Sequence, residues 1–193
     1  EAASFLASGQ NVRPTRLLEA GFRFVKPTIE DFFEGTDHAA VDRLDLHRYM
    51  GTWYEIARFD HRFERGLSEV TATYTLMPDG TVRVENRGCK HKKPYDVCKT
   101  AEGRAKIPDP SQPGKLKVSF FLSFYSDYHV LELDQDEYNY ALIGSSSDKY
   151  LWILSRAPIL PEEIKKKLLD AATRRGYDVK KLIWVEQREK KIM

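Results

Sequence analysis

Gly51-Thr52-Trp53-Tyr54-Glu55-Ile56-Ala57-Arg58-Phe59-Asp60 is the stretch on which the reading of this chain turns. Aromatic and β-branched residues crowd it, as they crowd Glu69 to Leu76 (EVTATYTL), and both read as strands. Pro78-Asp79-Gly80 is a turn signal, and Thr81 to Asn86 alternates apolar with polar residues. A polar, turn-rich loop bearing Cys89 and Cys98 follows, then a weaker strand over Glu102 to Ile107 and a turn at Asp109 to Gly114. Leu116, Val118 and Phe120 alternate with Lys115, Lys117 and Ser119, so that strand has one apolar face. Tyr128 to Leu133, Tyr140 to Gly144 and Tyr150 to Ser155 complete eight short strands at even spacing, the pattern of an antiparallel sandwich or barrel.

One helix is predicted over 161–175. Pro161 suits its first position, Glu162 and Glu163 complement the positive end of its dipole, and Gly176 stops it. Ile164, Leu168, Leu169 and Ala172 form an apolar stripe opposite Lys165 to Lys167, so the helix should lie against the outside of the sheet. Leu182 to Glu186 reads as a last edge strand.

Composition narrows the function. The 193 residues carry a net charge of +2, which gives no electrostatic case for nucleic acid. The ten Tyr and ten Phe lack a basic groove and read as core and cavity lining rather than base-stacking platforms. No apolar run approaches the roughly 20 residues of a spanning helix. Cys89 and Cys98 leave two readings open: a staple in an oxidising compartment, worth about 2–3 kcal/mol, or free thiols in a reducing one. Five scattered histidines (His38, His47, His61, His91, His129) show no metal-ligand spacing, so neither a metal nor a cofactor is expected.

Three segments together resemble the lipocalin family. Gly51-Thr52-Trp53 is similar to its first signature, Asp134 with Tyr138-Asn139-Tyr140-Ala141 to its second, and Trp152-Ile153-Leu154-Ser155-Arg156 to its third. The match covers about residues 41–188, and its wording is closest to the bacterial outer-membrane lipocalins and the apolipoprotein D branch. The resemblance implies an eight-stranded antiparallel up-and-down β-barrel with the helix packed outside. In such a barrel the three signatures meet at one end, where Trp53 plugs the interior and the Arg156 guanidinium lies over its indole, worth ~0.5–2 kcal/mol. Gly51, Trp53, Asp134 and Arg156 therefore close the barrel, and a ligand must enter at the other end.

An eight-stranded barrel holds one small ligand. If Trp53 faces inward, alternation makes Glu55, Ala57 and Phe59 cavity candidates, together with Leu116, Val118 and Phe120. Tyr74, Tyr128, Tyr140 and Trp152 are further candidates whose facing depends on bulges. A carboxylate at Glu55 would have a raised pKa in an apolar cavity; it either bonds a ligand or pairs with a basic residue of the barrel. A buried methylene is worth ~0.8 kcal/mol, so affinity should follow acyl length. The resemblance implies fatty acids or lysophospholipids, carried or stored for membrane upkeep.

Residues 7–35 are similar to the C-terminal tail of an NAD-dependent epimerase-like family, although no G-x-G-x-x-G occurs in the chain. Residues 1–38 are thus read as a short helical extension, with helices near Thr15 to Ala20 and Thr28 to Phe33, left by fusion to an epimerase-like domain. Glu1 is not an initiator, no secretory signal follows it, and a mature lipoprotein would begin with Cys, so a fragment or processed chain is expected. The compartment stays open: outer membrane or periplasm by resemblance, cytoplasm by the fusion. Two other functions remain: an enzyme on the same barrel, for which no nucleophile with its base is visible, and a ligand-sensing module attached to an epimerase. Lys165 to Lys167 and Lys190-Lys191 read as solvated faces, with a membrane-surface contact and a homodimer left open.

Overall fold

The computed structural model describes residues 35–91, 95–121 and 124–188. The helices expected within 1–38 lie outside these residues. A single-turn helix α1 (Leu46–Tyr49) precedes the strands β1 (Gly51–Phe59), β2 (Ser68–Leu76), β3 (Val82–Lys90), β4 (Val97–Lys106), β5 (Lys115–Phe121), β6 (Phe124–Leu133), β7 (Tyr140–Gly144) and β8 (Leu151–Ser155). Helix α2 (Glu162–Arg174) and a short β9 (Leu182–Trp184) follow. The strand order is β2-β3-β4-β5-β6-β7-β8-β1-β9, and β2 also pairs with β1, so the eight-stranded sheet closes on itself. Every pairing is antiparallel, the up-and-down barrel expected from the sequence. Closure removes the open sheet edges that would otherwise invite aggregation.

The two faces of the wall bury two separate cores. Inside the barrel, Trp53, Tyr74, Val82, Val84, Leu116, Val130 and Leu154 pack with Tyr49 of α1. Outside it, Leu168, Ala171 and Ala172 of α2 cover Ile56, Ala57, Phe59, Leu131, Leu142 and Ile153. Pro161 stands at the N-cap, one place earlier than the sequence suggests. At the other end Gly176 adopts φ +87°, a left-handed turn that costs glycine least, and lets the Tyr177 N–H return to the Ala172 carbonyl. Alpha1 is held by Asp45, whose carboxylate accepts from the N–H groups of His47 and Arg48.

Two loops are shorter than the sequence suggests. Beta6 begins at Phe124, four residues before Tyr128, where the sequence suggests the strand starts. Beta3 runs to Lys90 and β4 starts at Val97, so Cys89 and Cys98 sit directly opposite each other in the sheet and not in a loop. They form a disulfide with α-carbons 4.0 Å apart. Polar, exposed residues along the first half of β4 hide its strand character from a reading based on hydrophobic alternation. Replacing both cysteines with Ser should lower unfolding free energy by about 2–3 kcal/mol in urea melts; an unchanged midpoint would show that the sheet fixes this hairpin without the cross-link.

Candidate functional site

The barrel has a stoppered end and an open end. At the stoppered end the Trp53 indole N–H donates to the Tyr49 carbonyl at 2.9 Å. The Arg156 guanidinium lies 3.8 Å above the Trp53 ring and donates to the carbonyls of Arg48, Tyr49, Met50 and Thr52. Gly51 adopts φ +93°, a backbone conformation that residues with a side chain rarely take, while a β-carbon there would meet only Arg156 Nη1 at 3.4 Å. Asp134 organises the turn between β6 and β7, its carboxylate accepting from the Asn139 N–H at 3.2 Å. Tyr138, at φ +58°, is swung inward from that turn, and its hydroxyl accepts from the Asp45 N–H.

Above the stopper lies a cavity of about 930 Å³, near the upper end of the range typical for small-molecule sites. Its floor carries a tyrosine chain: the Tyr128 hydroxyl is 2.6 Å from that of Tyr49 and 3.0 Å from that of Tyr74. Its walls include Val84, Val118, Ile143 and Leu154, and its rim includes His61, Phe63, Phe120 and Tyr150.

The sequence candidates divide. Glu55, Tyr74, Val118, Phe120, Tyr128 and Trp152 border the cavity. Ala57 and Phe59 do not: they lie in the outer core under α2. The cause is a bulge in β1, where Glu55 pairs with Leu154 and Ala57 with Ile153, leaving Ile56 as the extra residue and reversing the alternation beyond it. Tyr140 is also on the outer face, its hydroxyl bonded to Lys167 Nζ at 2.7 Å. Leu116 does point inward but packs in the stopper beneath the cavity. Lys165, expected to be solvated, lies over the Trp184 ring at 4.3 Å.

The bulge brings in a residue that alternation misses. Arg58 turns inward, is 1% exposed, and donates to Glu55 Oε1 at 2.6 Å and to the carbonyls of Glu64 and Leu67. It thereby holds the β1–β2 loop across one side of the mouth. In that loop His61 Nε2 approaches Glu64 Oε2 at 2.7 Å, an ion-pair approach and not an aligned hydrogen bond. The Trp152 indole donates to the same oxygen at 3.2 Å. Burial, with the charge of Glu64 adding to it, pushes the Glu55 carboxyl up to about 8 against the opposing pull of Arg58. Burial works to raise Glu64 as well, but His61 and the Trp152 N–H outweigh it and hold that carboxyl below its ordinary range.

Glu69, His91 and Asp96 are spaced closely enough to hold a cation outside the mouth. Arg188 occupies that cluster already, 3.2 Å from Asp96 and 3.5 Å from Glu69.

A closed barrel, stoppered at one end and open onto a largely apolar chamber at the other, defines a small-molecule binding protein of the calyx type. Residues 44–187 match the family model described as a lipocalin-like domain, and the chain belongs to that family. Residues 1–35 match a domain of unknown function, DUF1731, which fits the epimerase-tail resemblance of that segment. The chain is 50% identical over 147 residues to the outer membrane lipoprotein Blc of Escherichia coli, covering 76% of this chain and 81% of that protein. It is 34% identical to mouse (Mus musculus) apolipoprotein D over 154 residues, 76% and 78% of the two chains. Among solved structures, insecticyanin of the tobacco hornworm Manduca sexta superposes with a TM-score of 0.64 at 23% identity, over 80% of this chain and 87% of that one. Family membership implies binding of a small hydrophobic ligand.

Two tests probe the two ends. Trp53→Ala should cost about 3–5 kcal/mol of stability in denaturant melts; a loss below about 1 kcal/mol would mean that the stopper does not need the indole. For Glu55, the unfolded carboxyl titrates near 4.5 and the folded one near 8, so the unfolded chain releases its proton first as pH rises. The contribution is favourable below about pH 4.5 and is lost by about pH 8. The melting temperature of Glu55→Gln, measured relative to the parent, should therefore rise between about pH 5 and pH 8. A constant difference would assign Glu55 an ordinary ionisation.

Proposed function

We propose that this protein binds a single-chain lipid, a fatty acid or lysophospholipid, tail first in the barrel cavity, and stores or carries it unmodified for membrane lipid upkeep. The observation that supports this most directly is the chamber itself: about 930 Å³, sealed below by Trp53 and open above. Val118, Tyr74 and Leu154 would flank the tail, and Phe120 and Trp152 would meet it near the mouth, with Tyr128 at the end of its path. Glu55 would contribute as the partner of Arg58 rather than as a direct ligand contact, since Arg58 Nη1 already donates to its Oε1 at 2.6 Å. The outer-membrane lipoprotein relatives and the Cys89–Cys98 disulfide support an oxidising, periplasmic setting.

Incubation of lipid-free protein with a membrane lipid extract, followed by mass spectrometry of protein and ligand, should return an unmodified single-chain lipid at one per chain. A chemically altered lipid would point to catalysis instead. Affinity should rise with acyl length by up to about fourfold per methylene. Val118→Trp should narrow the chamber and weaken binding with little change in melting temperature. Affinity that ignores both chain length and this substitution would remove the cavity from the binding event.

A further inference from the structure

The rim of the chamber differs in charge from its walls. Beta3 sends Val84, Asn86, Gly88 and Lys90 toward the lumen, and β4 sends Ala101, Lys99 and Val97. Gly88 pairs with Lys99 and Lys90 with Val97, which makes Lys90 and Lys99 diagonal neighbours on one face. Such positions lie roughly 7–8 Å apart, close enough for two flexible ammonium groups to converge on one anion. Neither lysine has an ion-pair or hydrogen-bond partner among the described residues.

The acidic residues beside this strand pair and along the β1–β2 loop are, by contrast, engaged. Lys117 holds Asp127 at 2.7 Å, His91 and Arg188 hold Asp96 and Glu69, and His61 lies against Glu64. The unpaired charge at this corner of the rim is therefore positive. The disulfide reinforces this placement, because Cys89 and Cys98 each immediately precede one of the two lysines. Like charges held side by side repel, and an anion between them relieves that repulsion.

We propose that Lys90 and Lys99 form a head-group subsite for a phosphate or carboxylate carried on a hydrophobic tail. This rests on the lipid-binding reading above and adds the sign and place of the head group: the anion stays at the β3–β4 rim and the tail descends. The disulfide acts as a positioning element that keeps the two ammonium groups in register.

Calorimetric titration of the lipid-free protein with dodecyl phosphate and with dodecanol tests the assignment. At low salt the phosphate should bind on the order of tenfold more tightly, and salt should erode the difference. In Lys90→Gln/Lys99→Gln the two ligands should bind within about twofold of each other, with dodecanol affinity at its original value, while Lys90→Arg/Lys99→Arg should keep the preference. Cys89→Ser/Cys98→Ser should keep dodecanol binding and reduce the preference for phosphate; an undiminished preference would overturn the positioning role of the disulfide. Equal binding of both ligands by the parent protein overturns the subsite and leaves the lipid chamber standing. Failure of both to bind removes the chamber and the subsite together. Displacement of dodecyl phosphate by equimolar inorganic phosphate would make this a free-anion site and overturn the lipid assignment.

Discussion

The architecture depends on how β1 satisfies its two edges. One edge pairs with β8 along most of its length. The other pairs with β2 only from Gly51 to Tyr54, and then with β9 from Ala57 to Phe59. Backbone groups in a buried wall must find partners, so between these stretches the Val185 N–H bonds the Ile56 carbonyl at 2.9 Å and the Gln187 amide bonds the carbonyls of Glu55 and Val70. The bulge at Ile56 is where the strand passes from one partner to the other. It gives α2 an apolar seat of Ile56, Ala57 and Phe59 and turns Arg58 to the inner side of the wall, where it bonds Glu55.

Charge is distributed along the barrel axis in a way that follows from this geometry. At the stopper, Arg156 is satisfied by backbone carbonyls and an aromatic face, so no acidic partner is needed there. In the middle, Arg58 is held by Glu55 Oε1 and by two backbone carbonyls in an otherwise apolar wall. The pair thus fixes the β1–β2 loop through Arg58's bonds to the Glu64 and Leu67 carbonyls, and the shape of the mouth is tied to the interior.

The barrel and its strand order were legible because alternation and turn residues are local signals, and TVRVEN or LKVSF shows them without interference. Trp53 and Arg156 were legible because the three signatures fall at one end of an up-and-down barrel. What alternation could not supply was the bulge: Ala57 and Phe59 look as inward as Glu55 until the pairing with β8 is known. Tyr140 failed for a related reason, since a tyrosine satisfies either face of a wall covered by a helix. Lys90 and Lys99 could have been found by extending the parity of Val82 and Val84 through the polar end of β3 and across to β4, but the polar composition there reads as loop. Alpha1 leaves one trace, Asp45 in front of Leu46, too short a pattern to separate from a turn.

The seam completed by Gln187 has a consequence for how the molecule assembles. Its amide meets Glu55 across 132 residues of chain and Val70 across 117. Contacts so distant in sequence form only after a large loss of chain freedom, and they favour slow, late steps of folding. The wall is therefore complete only when both ends of this barrel are in place: the gap beside β1 above Tyr54 is sealed by the segment that follows β9. Without that segment the chamber would have a second way in, beside Glu55, whereas the complete wall leaves only the rim.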